Sequence, residues 1–148
     1  MAFRFALEQI LRLRQNLERQ RALALQRASM DVARAREALT RLDRAIEESS
    51  ATDSRWLASG RMAAELHFAT LLRDQLQQLR IRVEEEIARL EVVRQEAAQA
   101  YKRAMQEREA LDALRASQRQ TYQREQMRRQ QQETDAAFLL RRWHKREG

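Results

Sequence analysis

No proline occurs in this chain of 148 residues, and one of its only two glycines is the last residue. Those are the residue types that end or kink helices, so a helix here can run for many turns. Cysteine is absent as well, which excludes disulfides, thiolate metal sites and cysteine nucleophiles. Aromatic residues make up only 5% of the chain, and much of its 43% apolar content is alanine. Such side chains can fill a stripe but not a globular core. No apolar run approaches the ~20 residues of a membrane-crossing helix. The opening stretch, Met1-Ala2-Phe3-Arg4-Phe5-Ala6-Leu7-Glu8, lacks the uninterrupted apolar segment of a signal peptide. A soluble, intracellular protein without membrane insertion is expected.

What is abundant is charge, 34% of all residues, with apolar positions recurring at steps of three and four. That pattern specifies long amphipathic helices. The net charge is +7, unevenly spread: residues 1–48 carry +3, 49–64 carry +1, 65–110 carry −1 and 111–148 carry +4. Punctuation gathers in one place, Glu48-Ser49-Ser50-Ala51-Thr52-Asp53-Ser54, followed by Ser59-Gly60. The chain therefore reads as a single all-α domain over 1–148, an antiparallel coiled-coil hairpin. Helix one is expected at about 3–48, the reversal at about 49–61 and helix two at about 62–142, the second helix being longer and projecting.

In helix two a seam can be written through Ala69, Leu72, Leu76, Leu79, Val83, Glu86, Leu90, Val93, Ala97, Ala100, Ala104, Glu107, Leu111 and Leu114. Its steps alternate three and four, as a coiled coil requires. In helix one the seam reads Ile10, Leu13, Leu17, Arg21, Leu25, Ala28, Val32, Ala35, Leu39, Leu42 and Ile46, with a stutter at 17–21–25. Facing positions in an antiparallel hairpin add to a constant. A value of 114–115 pairs Leu42 with Leu72, Val32 with Val83 and Ile10 with Ala104, and sets the reversal near residue 57. A register seven units away satisfies the heptads too. The helices would span ~70 Å and ~120 Å at 1.5 Å per residue. The stretch from Leu114 onward would then be a basic helix without a partner face, frayed alone because isolated helices are marginal in water.

Catalytic chemistry finds no support in these residues. His67 has only Thr70 and Leu71 at ligand spacing, and His144 only Glu147. Glu84-Glu85-Glu86 point in different directions on a helix. Neither a phosphate loop nor a Ser/His/Asp set is present, so no enzyme, cofactor or metal is expected. Three binding modes can be weighed. The tail cations Arg115, Arg119, Arg124, Arg128, Arg129, Arg141, Arg142, Lys145 and Arg146 could meet nucleic acid, but they form no continuous stripe and are diluted by glutamine, so none is expected. Phe3, Phe5, Leu7, Ile10 and Leu11 could meet a membrane surface, but Glu8 and Glu18 share that segment. A protein partner engaged along the helices fits every feature.

The segment Phe3-Arg4-Phe5-Ala6-Leu7-Glu8-Gln9-Ile10-Leu11-Arg12-Leu13-Arg14 resembles the opening of the flagellar FliJ family. Further similarity lies in Ala64-Glu65-Leu66-His67-Phe68 with Leu71-Leu72, in Glu96 to Tyr101 with Arg108 to Leu111, and in Tyr122-Gln123-Arg124-Glu125-Gln126. The tail departs from the family's frequent acidic ending by being basic. The resemblance implies a non-enzymatic stalk of the type III protein export apparatus, cytoplasmic and peripherally associated with the inner membrane. Implied partners are the export ATPase ring, an export-gate membrane protein and export chaperones. By the same resemblance, Phe3, Arg4, Leu7, Leu11, Arg12 and Arg14 fall on the ATPase-contacting pole. Leu42, Ile46, Trp56, Phe68 and Leu72 fall on the gate-contacting region. Injectisome stalk proteins share this plan. A generic coiled-coil scaffold with a nucleic-acid-binding tail is the alternative of another class.

Overall fold

A computed structural model describes residues 2–60 and 63–148. Two helices account for nearly all of them, α1 over Glu8–Ala58 and α2 over Ala63–Glu147, and together they form an all-α helical hairpin. The first helix begins at Glu8, not near residue 3. Residues 2–7 instead form a lead-in that turns where the Glu8 amide donates to the Phe5 carbonyl at 3.2 Å. An acidic residue in the first turn suits the helix dipole there.

The serine- and threonine-rich stretch does not break α1, as the sequence suggested it would. Thr52 Oγ1 donates to the Glu48 carbonyl at 2.8 Å and Ser54 Oγ to the Ser50 carbonyl at 3.1 Å. Hydroxyls that bond one turn back are accommodated within a helix. The stop comes ten residues later than expected. Gly60 adopts φ +72°, the only positive φ among the described residues, and its amide donates to the Leu57 carbonyl. A glycine in the left-handed region just past a helix end is a common stop signal. The expected start of helix two at residue 62 lies outside the described residues. At the other end α2 stays helical to Glu147, five residues beyond the expected 142.

The chain packs as two compact units. Unit 1 comprises Met1–Glu18 and Arg103–Gly148, and unit 2 comprises Arg19–Lys102. In unit 2 the covered positions of α1 run Leu25, Ala28, Val32, Ala35, Leu39, Leu42 and Ile46, as the seam predicted, and continue through Ser49, Asp53 and Trp56. On α2 the covered positions are Leu66, Ala69, Arg73, Leu76, Arg80, Val83, Ile87, Leu90, Arg94 and Ala97. Half of the expected seam is present. The other half has rotated one residue onward: Leu72, Leu79 and Val93 are 45%, 44% and 52% exposed, and Arg73, Arg80 and Arg94 take their places.

That rotation accompanies a change of register. Arg80 Nε donates to Asp43 Oδ1 at 2.6 Å, Arg73 pairs with Asp53, and Arg36 with Glu91. These partners' positions add to 123, 126 and 127, not 114–115. Leu42 therefore lies near the level of Arg80 and Val83, and Leu72 near the level of Asp53. The expected Leu42–Leu72 pairing is replaced. Arginine can occupy a seam flank because its aliphatic stem covers apolar surface while its guanidinium reaches a carboxylate.

Unit 1 follows the same logic. Glu18 accepts from Arg108 Nε at 2.6 Å and Nη2 at 3.1 Å, Arg115 lies 3.5 Å from Glu8, and Arg14 pairs with Glu107. From Leu7, the last residue of the lead-in, into α1 the covered positions Leu7, Leu11, Arg14 and Glu18 step by four, three and four. Ile10 and Leu13, which were expected in the seam, are 45% and 66% exposed. From Glu18 the alternation continues through Arg21 to Leu25, so the stutter expected at 17–21–25 is not needed, although Arg21 itself is exposed. Leu11 is fully buried, and Phe5 and Ala104 are nearly so, at 7% and 4% exposure.

Candidate interaction surfaces

In unit 1 the lead-in folds back so that the Phe3 ring meets Tyr122 at a centroid distance of 5.6 Å and a tilt of 48°. Tilted aromatic pairs at this separation are favourable. A shallow depression is lined by Phe3, Arg4, Phe5, Glu8, Arg12 and Arg115. Four of the six residues expected at the ATPase-contacting pole, Phe3, Arg4, Arg12 and Leu7, are therefore accessible at or near one surface; Leu7 and Phe3 are half-buried, Arg4 and Arg12 exposed. Arg14 is part-covered and its charge is met by Glu107. Leu11 does not belong to that surface, because a side chain with no exposure has nothing to offer a partner. Phe5, weighed from the sequence only for a membrane contact, is buried and anchors the lead-in. Its spacing two residues after Phe3 was the available signal. Burial of Phe5 and Leu11 also withdraws two of the five apolar residues weighed for an N-terminal membrane contact.

Electrostatically unit 1 is the more basic. Its fourteen Lys and Arg against nine Asp and Glu leave +5, whereas unit 2 holds fifteen against thirteen, or +2. The Arg108 guanidinium is held well above its ordinary pKa, first by its hydrogen bonds to Glu18 and then by the one to Asp112. Arg80 is raised likewise, chiefly by the hydrogen bond it donates to Asp43 and then by that carboxylate's charge. A raised cation contributes stability that is fully present below its unfolded pKa and lost only as pH climbs through the folded one. These two pairs therefore bring no loss at neutral or mildly alkaline pH.

The residues expected at the gate-contacting region all lie in unit 2 but at two levels. Trp56, Phe68 and Leu72 stand near the Asp53–Arg73 pair, while Leu42 and Ile46 stand near Asp43–Arg80. Trp56 is not in a loop. It lies in the last turn and a half of α1 and is half-buried. Phe68 is 69% exposed, as a large ring beside a two-helix layer should be, and Leu71 and Leu72 beside it are 49% and 45% exposed. Ile46 lines a depression with Asp43, Glu47, Gln77, Arg80 and Ile81. Leu71 and Ile81 were not anticipated as surface residues. Among the described residues no cluster of His, Asp and Glu could hold a metal ion, and no helix is long and apolar enough to cross a membrane.

The comparison that decides the family is the match of the flagellar FliJ protein model to residues 3–148. The chain belongs to the flagellar FliJ protein family. The match takes in the lead-in, both helices and the basic tail, and it places the chain among flagellar export components of a non-enzymatic kind. No individual curated protein and no solved structure matches the chain.

Proposed function

We propose that this FliJ-family chain is the stalk of the flagellar export apparatus, joining the export ATPase ring to an export-gate membrane protein and handling export chaperones. The ATPase would be met by the lead-in and first turn, through Phe3, Arg4, Leu7 and Arg12, with Arg14 contributing to the field. A basic surface of this kind speeds association with an acidic ring and loses that advantage in salt. The gate would be met by Phe68 and Leu72 with Trp56 beside them, and by Leu42 and Ile46 further along the unit. The protein would then act in the cytoplasm, held at the inner membrane through its partners. The observation that carries this assignment is the exposure of Phe68, Leu71 and Leu72 side by side in a chain with few aromatics. Exposed rings are natural anchors, and truncating a good one costs about 2 kcal/mol or more of binding.

The test is affinity capture from flagellated cells with the wild-type chain, Phe68→Ala, and Arg4→Glu with Arg12→Glu. The first variant should lose the gate protein and keep the ATPase; the second should do the reverse. Recovery of injectisome components in place of flagellar ones would redirect the assignment to that system. If both variants retained both partners at wild-type helicity, neither surface would have the role given to it.

A further inference from the structure

Residues 127–148 are exposed without exception, and within them sits an apolar group that packing does not explain. Phe138, Leu139, Leu140 and Trp143 are 61%, 62%, 59% and 59% exposed, inside a helix that continues to Glu147. At 100° per residue, Ala136, Leu139, Leu140 and Trp143 share one face. Arg142 and Arg146 flank that face on one side, and Ala137 and His144 on the other. Arg141 and Lys145 lie opposite, together with Phe138. Four Lys and Arg stand against one acid across residues 136–148, Glu147, the last helical residue, which closes the apolar face at its C-terminal end one turn after Trp143. The preceding acids, Glu133 and Asp135, come before the apolar face begins.

We propose that residues 136–147 form an interfacial helix that lies on a membrane surface rich in anionic headgroups. The choice of occupant rests on the composition of the face and its flanks. Leucines with a tryptophan suit the boundary between headgroups and acyl chains, and flanking arginines can extend to anionic phosphates while their stems cover apolar surface. Nucleic acid would use the cations but leave Leu139, Leu140 and Trp143 without a role. A short helix with one apolar face binds weakly and reversibly by itself, so the contact would add to other attachments of the chain. The inference does not depend on the ATPase or gate assignments, since its test contains neither.

The experiment uses the full chain carrying Trp56→Phe, which leaves Trp143 as the single tryptophan. Phosphatidylglycerol-containing vesicles should sediment the protein and shift Trp143 emission to the blue, whereas pure phosphatidylcholine vesicles should do neither. Arg142→Glu with Arg146→Glu should weaken partitioning at least about tenfold, since each cation near an anionic surface contributes about fivefold. Leu139→Glu with Leu140→Glu should abolish the blue shift, and Phe138→Glu, on the opposite face, should retain it. Circular dichroism of each variant shows whether helicity has survived. Equal binding to both kinds of vesicle, no blue shift on anionic vesicles, or equal loss from Phe138→Glu would overturn the proposal.

Discussion

The two units bury different kinds of side chain. Unit 1 is closed by large ones: Leu11 without exposure, Phe5 nearly so, and the Phe3 ring against Tyr122. In unit 2 the buried residues are Ala28, Val32 and Ala69, while Phe68, Leu71, Leu72, Leu79, Ile81, Val92 and Val93 remain on the surface. Where its helices meet, unit 1 covers some of its largest side chains and leaves Phe138, Leu139, Leu140 and Trp143 to its tail, whereas unit 2 carries its exposed bulk along the paired helices themselves. Exposed apolar residues scattered singly are ordinary, but a contiguous group has a use. The contrast separates the helix contact of unit 1, which is closed by large side chains, from that of unit 2, which is closed by small ones.

The most forceful way to break the comparison is Leu11→Ala, which should lower unfolding free energy by about 3 kcal/mol in urea titration. A change near zero would mean that unit 1 has no tight core. Val32→Ala, at the best-covered position of unit 2, removes two buried methyl equivalents and should cost about 1.5 kcal/mol by the same measurement. Gly60→Ala should cost about 1 kcal/mol, because a Cβ meets no atom there and only the left-handed backbone is penalised. Smallest of all, Phe68→Ala should change stability by less than about 0.5 kcal/mol although it removes a whole ring. If Phe68→Ala matched Leu11→Ala, the ring would be core and the division between units would fail.

The helical hairpin was legible because absent proline and a three-four apolar rhythm leave few other folds. The α1 seam from Leu25 to Ile46 was legible for the same reason. The register and half of the α2 seam were not, because hydropathy counts arginine as solvent-facing whatever its stem covers. A different signal was present in the chain: Arg73, Arg80, Arg94, Arg108 and Arg115 differ by multiples of seven. Arginines on a heptad grid, with Asp43, Asp53, Glu8 and Glu18 on the other helix, point to seam-flanking pairs. For the candidate surfaces, the aromatic lead-in and Phe68 could be named from sequence. Leu11 was placed on the ATPase-contacting pole and is instead fully buried, because a residue in a recognised motif can serve the core as readily as a partner. Trp56 was misplaced because hydroxyl side chains were counted as breakers when they bond back along their own helix.

The ion pairs of unit 1 behave like a vernier. Arg108 and Arg115 are seven residues apart, while their partners Glu18 and Glu8 are ten apart. An apolar seam repeats every heptad and would accept a slide of one repeat with little protest. The two charge scales do not share that period. Slipping one helix by a heptad in either direction could bring at most one of these arginines to a carboxylate of the pair, and would carry Arg14 away from Glu107. Axial position is thereby fixed by misfit between two rulers, so a pull along the helices meets resistance from the first displacement onward.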